Sequence, residues 1–82
     1  MERIDLTQMR EGEEGIVVDI YGGHGLLRKL ESLGLRVGVS AKKISAQFMR
    51  GPVTIRVGNT EVALGFGMAR KVIVECKGVA NE

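Results

Sequence analysis

Apolar and polar positions alternate with period two in five short stretches of the chain and follow a helical period in one. This pattern predicts a mainly β protein with a single helix. In residues 16–20, Ile16, Val18 and Ile20 share one face of a strand. Tyr21 follows, and Gly22, Gly23 and Gly25 around His24 break the strand and turn the chain. Leu26, Leu27, Leu30 and Leu33 then stand at i, i+1, i+4 and i+7, the apolar stripe of a helix over about residues 25–33. Gly34 takes the left-handed position that stops this helix, and Leu35 folds back over its last turn.

Val37, Val39 and Ala41 alternate with Gly38, Ser40 and Lys42, which predicts a strand over 37–45. Ile44 has the opposite parity, so a bulge or bend is expected near Lys43. Residues 46–50 form a loop or strand extension closed by Gly51 and Pro52, and Pro52 suits a strand start or edge because it lacks an N–H. Val53, Ile55 and Val57 alternate with Thr54 and Arg56, and Gly58-Asn59 joins this strand to residues 60–64 as a two-residue hairpin. Gly65 and Gly67 limit residues 65–69 to a connection with one irregular helical turn. Residues 71–76 form the last strand, with Val72, Val74 and Cys76 on one face, and 77–82 are a polar tail. Near the start, Asp5 caps one helical turn, Gln8 completes a capping box and Gly12 ends the turn. Five short strands with one inserted helix predict a small, partly closed β-barrel, a single domain over 1–82 with its core in 4–76.

A chain of 82 residues has little apolar surface to spare for the walls of a deep pocket. Twelve Lys and Arg against ten Asp and Glu leave a formal charge of +2. Lys42, Lys43, Arg50 and Arg56 are the basic residues of interest. Tyr21, Phe48 and Phe66 do not interleave with them as a stacking platform. They read as a solvated mixed face, and no nucleic-acid partner is expected. The longest branched apolar runs, Ile16-Val17-Val18 and Val72-Ile73-Val74, fall far short of the ~18 residues of a membrane span. With no signal-like start, the expected location is the cytosol, without direct membrane insertion.

Material for catalysis is scarce. One His and one Cys cannot close a zinc site of the Cys/His type. His24 and Cys76, joined by carboxylates, are the only candidates for a weak divalent transition-metal site. The plainer reading is a loop histidine and a core cysteine, so no cofactor is predicted. The run Gly22-Gly23-His24-Gly25 fails as a dinucleotide cradle, because Arg28 stands where a third glycine is required. No Ser, His and acid converge, and the chain is expected not to be an enzyme.

Taken in order, these residues resemble the FeoA family over residues 4–75. The most specific stretch is Arg28-Lys29-Leu30-Glu31-Ser32-Leu33-Gly34-Leu35-Arg36-Val37-Gly38, similar to that family's basic-Leu-x-x-Leu-Gly-Leu-x-x-Gly signature. The Gly22-Gly23 turn, Gly51-Pro52-Val53, the hairpin and Ala63-Leu64-Gly65 follow where the family has them. Much of this is structural: leucines plug a barrel end, Gly34 takes positive φ, and Gly38 makes a close turn into a strand. The resemblance implies an SH3-like barrel. It implies a small accessory protein of ferrous iron uptake that binds a membrane ferrous iron permease with a cytoplasmic GTP-binding domain. The partner would then hold it at the inner face of the membrane. One departure from the family is Gly65-Phe66-Gly67-Met68, where members often carry a more polar, helix-forming segment.

The expected partner contacts are Phe48, Met49 and Arg50 in the loop before Gly51, with Phe66 and Met68 as a second patch. The competing reading is that these side chains merely close the barrel ends. Two other functions stay open: a metal-binding or metal-sensing module, and a small nucleic-acid-binding barrel. A free edge strand would also let the barrel pair as a homo-oligomer.

Overall fold

Six antiparallel strands form the sheet in the computed structural model, which describes residues 2–46 and 50–79. They are β1 (Arg3–Asp5), β2 (Glu13–Ile20), β3 (Ser40–Ala46), β4 (Val53–Val57), β5 (Thr60–Leu64) and β6 (Val72–Val79). The order is β1-β6-β2-β3-β4-β5. The barrel-like class expected from the alternation holds, with one more strand than expected. β1 is only three residues long, too short to show alternation, and it pairs with β6 through Arg3 and Glu75. No ladder joins β1 to β5 among the described residues, so the barrel stays open there. β6 also runs three residues past Cys76, into the predicted polar tail, pairing Gly78 with Glu14 and Val79 with Glu13.

The core face of β2 differs from expectation. Gly15 and Val17 are buried, whereas Ile16 and Val18 are only half-buried. A register shift between Val17 and Asp19 resets the parity, which returns Ile20 to the core opposite Val72. Gly15 fits closely here: a Cβ would lie 3.1 Å from the Glu75 carbonyl oxygen and 3.2 Å from Val74 Cβ, so these neighbours would have to give by a few tenths of an ångström.

The helix α1 (His24–Ser32) ends as its sequence predicts. Gly34 has φ +94, Gly34 N–H donates to Glu31 O at 3.0 Å, and Leu35 N–H donates to Leu30 O at 2.9 Å. This is a Schellman motif, and its hydrophobic contact joins Leu30 to Leu35, both fully buried. The strand expected over 37–45 begins only at Ser40. Residues 36–39 instead make a turn, with Val39 N–H donating to Arg36 O and Gly38 at φ +102. That turn leaves Val37 exposed at its corner and is clipped to β2 by Gly38 N–H to Val17 O at 2.8 Å. The bulge expected near Lys43 is present as a register shift between Lys43 and Ser45.

The Gly58-Asn59 hairpin forms with Val57 opposite Thr60 and Gly58 at φ +63. Beyond β5, α2 (Phe66–Ala69) is a single turn. It forms despite two glycines because fully buried Ala69 anchors it to the core. A 3₁₀ turn over Leu6–Gln8 carries the predicted capping box: Thr7 N–H donates to Asp5 Oδ1 at 2.8 Å, and Asp5 N–H donates to Gln8 Oε1 at 3.0 Å. The turn closes at Met9, and Gly12 makes the next turn at φ +88. Leu6 and Met9 drop from this segment into the core.

Candidate functional site

Lys43 overturns one expectation. Instead of joining Lys42 on a solvated face, it is buried on the same face of β3 as Ala41. Its ammonium donates to Leu6 O at 2.9 Å, Thr7 O at 3.2 Å and Met9 O at 2.9 Å. Three N–H groups therefore meet three backbone carbonyls of the short 3₁₀ turn and of Met9, which closes it. Gly12 N–H also donates to Lys43 O at 2.8 Å, so residues 6–12 are held by one lysine at both its ends. Burial pulls the Lys43 pKa below its ordinary value, against the opposing charges of Asp5, Glu11 and Glu13. This lysine is structural.

Lys42 and Arg56 do face outward and stand opposite each other in the β3–β4 ladder. Glu14 lies opposite Lys42 on one side, and Glu61 lies opposite Arg56 on the other. Arg56 donates to Glu61 Oε2 at 2.6 Å. The row Glu14, Lys42, Arg56, Glu61 crosses four strands with balanced charge, the mixed solvated face that the composition suggested.

The weak metal candidates are not brought together. Gly15 pairs with Cys76 and Ile20 with Val72, so Cys76 lies about 17 Å along the β2–β6 ladder from the end of β2, beyond which α1 begins. His24 is exposed in the first turn of α1. Cys76 is buried, and its thiol is pushed up to about 11 by burial, by the charge and hydrogen bond of Glu13, and by Glu2. At neutral pH it is a protonated core thiol.

Of the expected contact residues, Arg50 and Phe66 are brought together. Val53 opposes Leu64 in the β4–β5 ladder, so the turn before β4 and the connection after β5 leave the sheet side by side. Arg50 adopts φ +63, and its guanidinium carbon sits 5.8 Å from the centre of the Phe66 ring. A non-glycine residue in this conformation costs about 1–2 kcal/mol, and the cation–π contact returns part of it. Phe66 and Met68 are half-buried, and Ala69 behind them is fully buried. Phe48 and Met49 lie outside the described residues. Gly51 is half-buried and Pro52 exposed where β4 begins, as the strand-start reading requires.

Sequence reasoning missed Arg70 and Lys71, both exposed directly after α2 and lining a shallow hollow with Gly67. A signal was available. Counting outward from the Gly58-Asn59 turn pairs 53 with 64, which sets residues 50–52 beside 65–67 and brings the following basic pair to the same end.

Comparison with known proteins agrees with this geometry. The FeoA domain model matches residues 4–76. A Methanocaldococcus jannaschii protein provisionally named Fe(2+) transport protein A is 41% identical over 70 residues, 85% of this chain and 83% of that protein. The crystal structure of an iron uptake regulatory protein, FeoA, superposes with a TM-score of 0.84 at 37% identity, covering 93% of this chain and 99% of the other. A manganese-dependent transcriptional repressor superposes with a TM-score of 0.83 at 21% identity, covering 90% of this chain and 41% of the repressor. At that identity the likeness is one of fold alone. With the family model covering nearly the whole sheet, and with the Leu30, Gly34 and Leu35 signature folded into a Schellman motif, the chain belongs to the FeoA domain family.

Proposed function

We propose that this protein is a small accessory module of ferrous iron uptake. It binds the cytoplasmic part of a membrane ferrous iron permease through the barrel end where Arg50 meets Phe66. Family membership and the Fe(2+) transport name of the 41% identical relative support the iron-uptake part of this reading. The observation that supports the binding surface is the 5.8 Å contact between Arg50 and Phe66. It joins two patches, separate in sequence, into one face rich in residue types that interfaces favour. Phe48 and Met49, which precede Arg50 in the sequence, are proposed as further contacts. The partner would hold the protein at the inner side of the membrane.

The test is a pull-down of the permease from detergent-solubilised membranes by the tagged protein, with and without guanine nucleotide. Phe66→Asp should lower recovery about tenfold, roughly 1.4 kcal/mol of binding, while circular dichroism and the urea midpoint show a folded barrel. Undiminished recovery by a folded Phe66→Asp variant overturns the interface. If the unaltered protein recovers nothing from membranes shown to contain the permease, the function itself is overturned.

A further inference from the structure

The end of the barrel at α2 has a chemistry of its own, and it selects a kind of partner. Arg50, Arg70 and Lys71 are all exposed there. Arg70 N–H donates to Phe66 O at 3.0 Å and Lys71 N–H to Met68 O at 3.0 Å, so both follow Phe66 within one turn of chain. Arg70 and Lys71 therefore follow Phe66 closely along the chain, while Arg50 meets its ring at 5.8 Å. The ion pairs among the described residues join Arg3 to Glu75 and Arg56 to Glu61, and neither involves these three. The acids nearest along the ladder are Asp5 and Asp19, both opposite Ile73. Each is engaged with backbone: Asp5 accepts from Thr7 N–H, and Asp19 accepts from Ile20 N–H at 2.9 Å. A net charge of only +2 is thus distributed unevenly, balanced on the β2–β5 face and unbalanced at α2.

Shape narrows the choice further. Arg70, Lys71 and Gly67 line a hollow, not a protruding tip. A Cβ at Gly65 or Gly67 would meet nothing within 4 Å, so the backbone there is open to an incoming chain. Phe66 is half-buried and Arg50 beside it is exposed, so the guanidinium can receive a carboxylate from solvent. A flat lipid surface would need Phe66 projecting into it, whereas a peptide needs a hollow with cations around it.

We infer that this end binds an acidic segment of a protein partner, with carboxylates on Arg50, Arg70 and Lys71 and an apolar side chain of the segment against Phe66 and Met68. The inference rests on reading this end as the partner surface, and it specifies the partner's chemistry. It can be tested without the permease, so its failure and that of the proposed function are separable. The ¹⁵N-labelled protein is titrated with three probes: a blocked peptide of alternating Glu and Leu, its Lys and Leu counterpart, and phosphatidylglycerol vesicles. The acidic peptide should shift the amides of residue 50 and residues 65–71, more weakly as salt rises. The joint variant Arg70→Glu, Lys71→Glu should bind it at least about tenfold more weakly, with a dispersed spectrum showing the fold intact. Arg50→Gln alone should weaken it less. No shift at these amides with the acidic peptide overturns the inference. Equal binding of the Lys and Leu peptide, or binding to the vesicles alone, overturns it too.

Discussion

Lys43 and the cations around α2 carry the same charge and do opposite work. Lys43 sits inside, and each of its three N–H groups faces a backbone carbonyl of residues 6–9. Arg50, Arg70 and Lys71 sit outside, with no carboxylate partner among the described residues. The difference lies in what receives the protons. A cation whose donors are all met by its own chain is committed to the fold, and removing it leaves buried carbonyls unsatisfied. A cation in water has lost no solvation, so altering it costs the fold little and changes what the surface attracts. Counting charges along the chain cannot separate these classes.

The greatest expected effect comes from removing the inner cation. Lys43→Met keeps the bulk of the stem and strips the donors from three carbonyls, and it should cost about 3 kcal/mol of stability by urea unfolding. For a domain of this size that lowers the melting temperature by roughly 15 °C. Amide exchange in residues 6–12 should accelerate more than elsewhere. A loss below about 1 kcal/mol would place Lys43 with the surface cations and erase the contrast.

Cys76 tests the inner class through a different group. With its pKa raised to about 11, the folded thiol keeps its proton to higher pH than the unfolded one. The native state therefore binds more protons above pH 9, and stability should fall as pH rises from about 9 through 11. At pH 8 the thiolate fraction is about a hundredfold below that of an unfolded cysteine, and alkylation should be slower by at least that factor. Rapid labelling of the native protein at pH 8 would show a thiol open to solvent. The smallest effect belongs to the outer class. Arg50→Ala removes the contact with Phe66 and should change stability by no more than about 0.5–1 kcal/mol, measured by the same urea titration. A larger loss would mean that Arg50 holds the barrel end together, as a structural residue.

The parts of the fold readable from sequence are those whose causes lie close along the chain. The helix stop at Gly34, the Gly58-Asn59 hairpin, the Asp5 cap and the bulge signalled by Ile44 each depend on residues a few positions apart. What escaped depends on residues far apart. Lys43 shares parity with Ala41, so its inward direction was available in the pattern, but its acceptors stand 34 to 37 residues away. The parity reset in β2 comes from its pairing with β6, and Val37 is exposed because Gly38 and Val17 fix the turn from another strand. At the candidate site, Arg50 and Phe66 were singled out separately. Their meeting required the β4–β5 register, and Arg70 and Lys71 entered only once that register placed them beside the loop.

The sheet order carries a consequence for biosynthesis. β6, the last strand to leave the ribosome, lies between β1 and β2, the first two. The nascent chain can assemble β2 to β5 in sequence, but β1 has no neighbour until β6 arrives, and the pair Arg3 with Glu75 spans 72 residues. Closure of β1 on β6 is therefore a contact of high sequence separation, the slowest class to form. Until then the edge of β2 with which β6 pairs stays open to other chains.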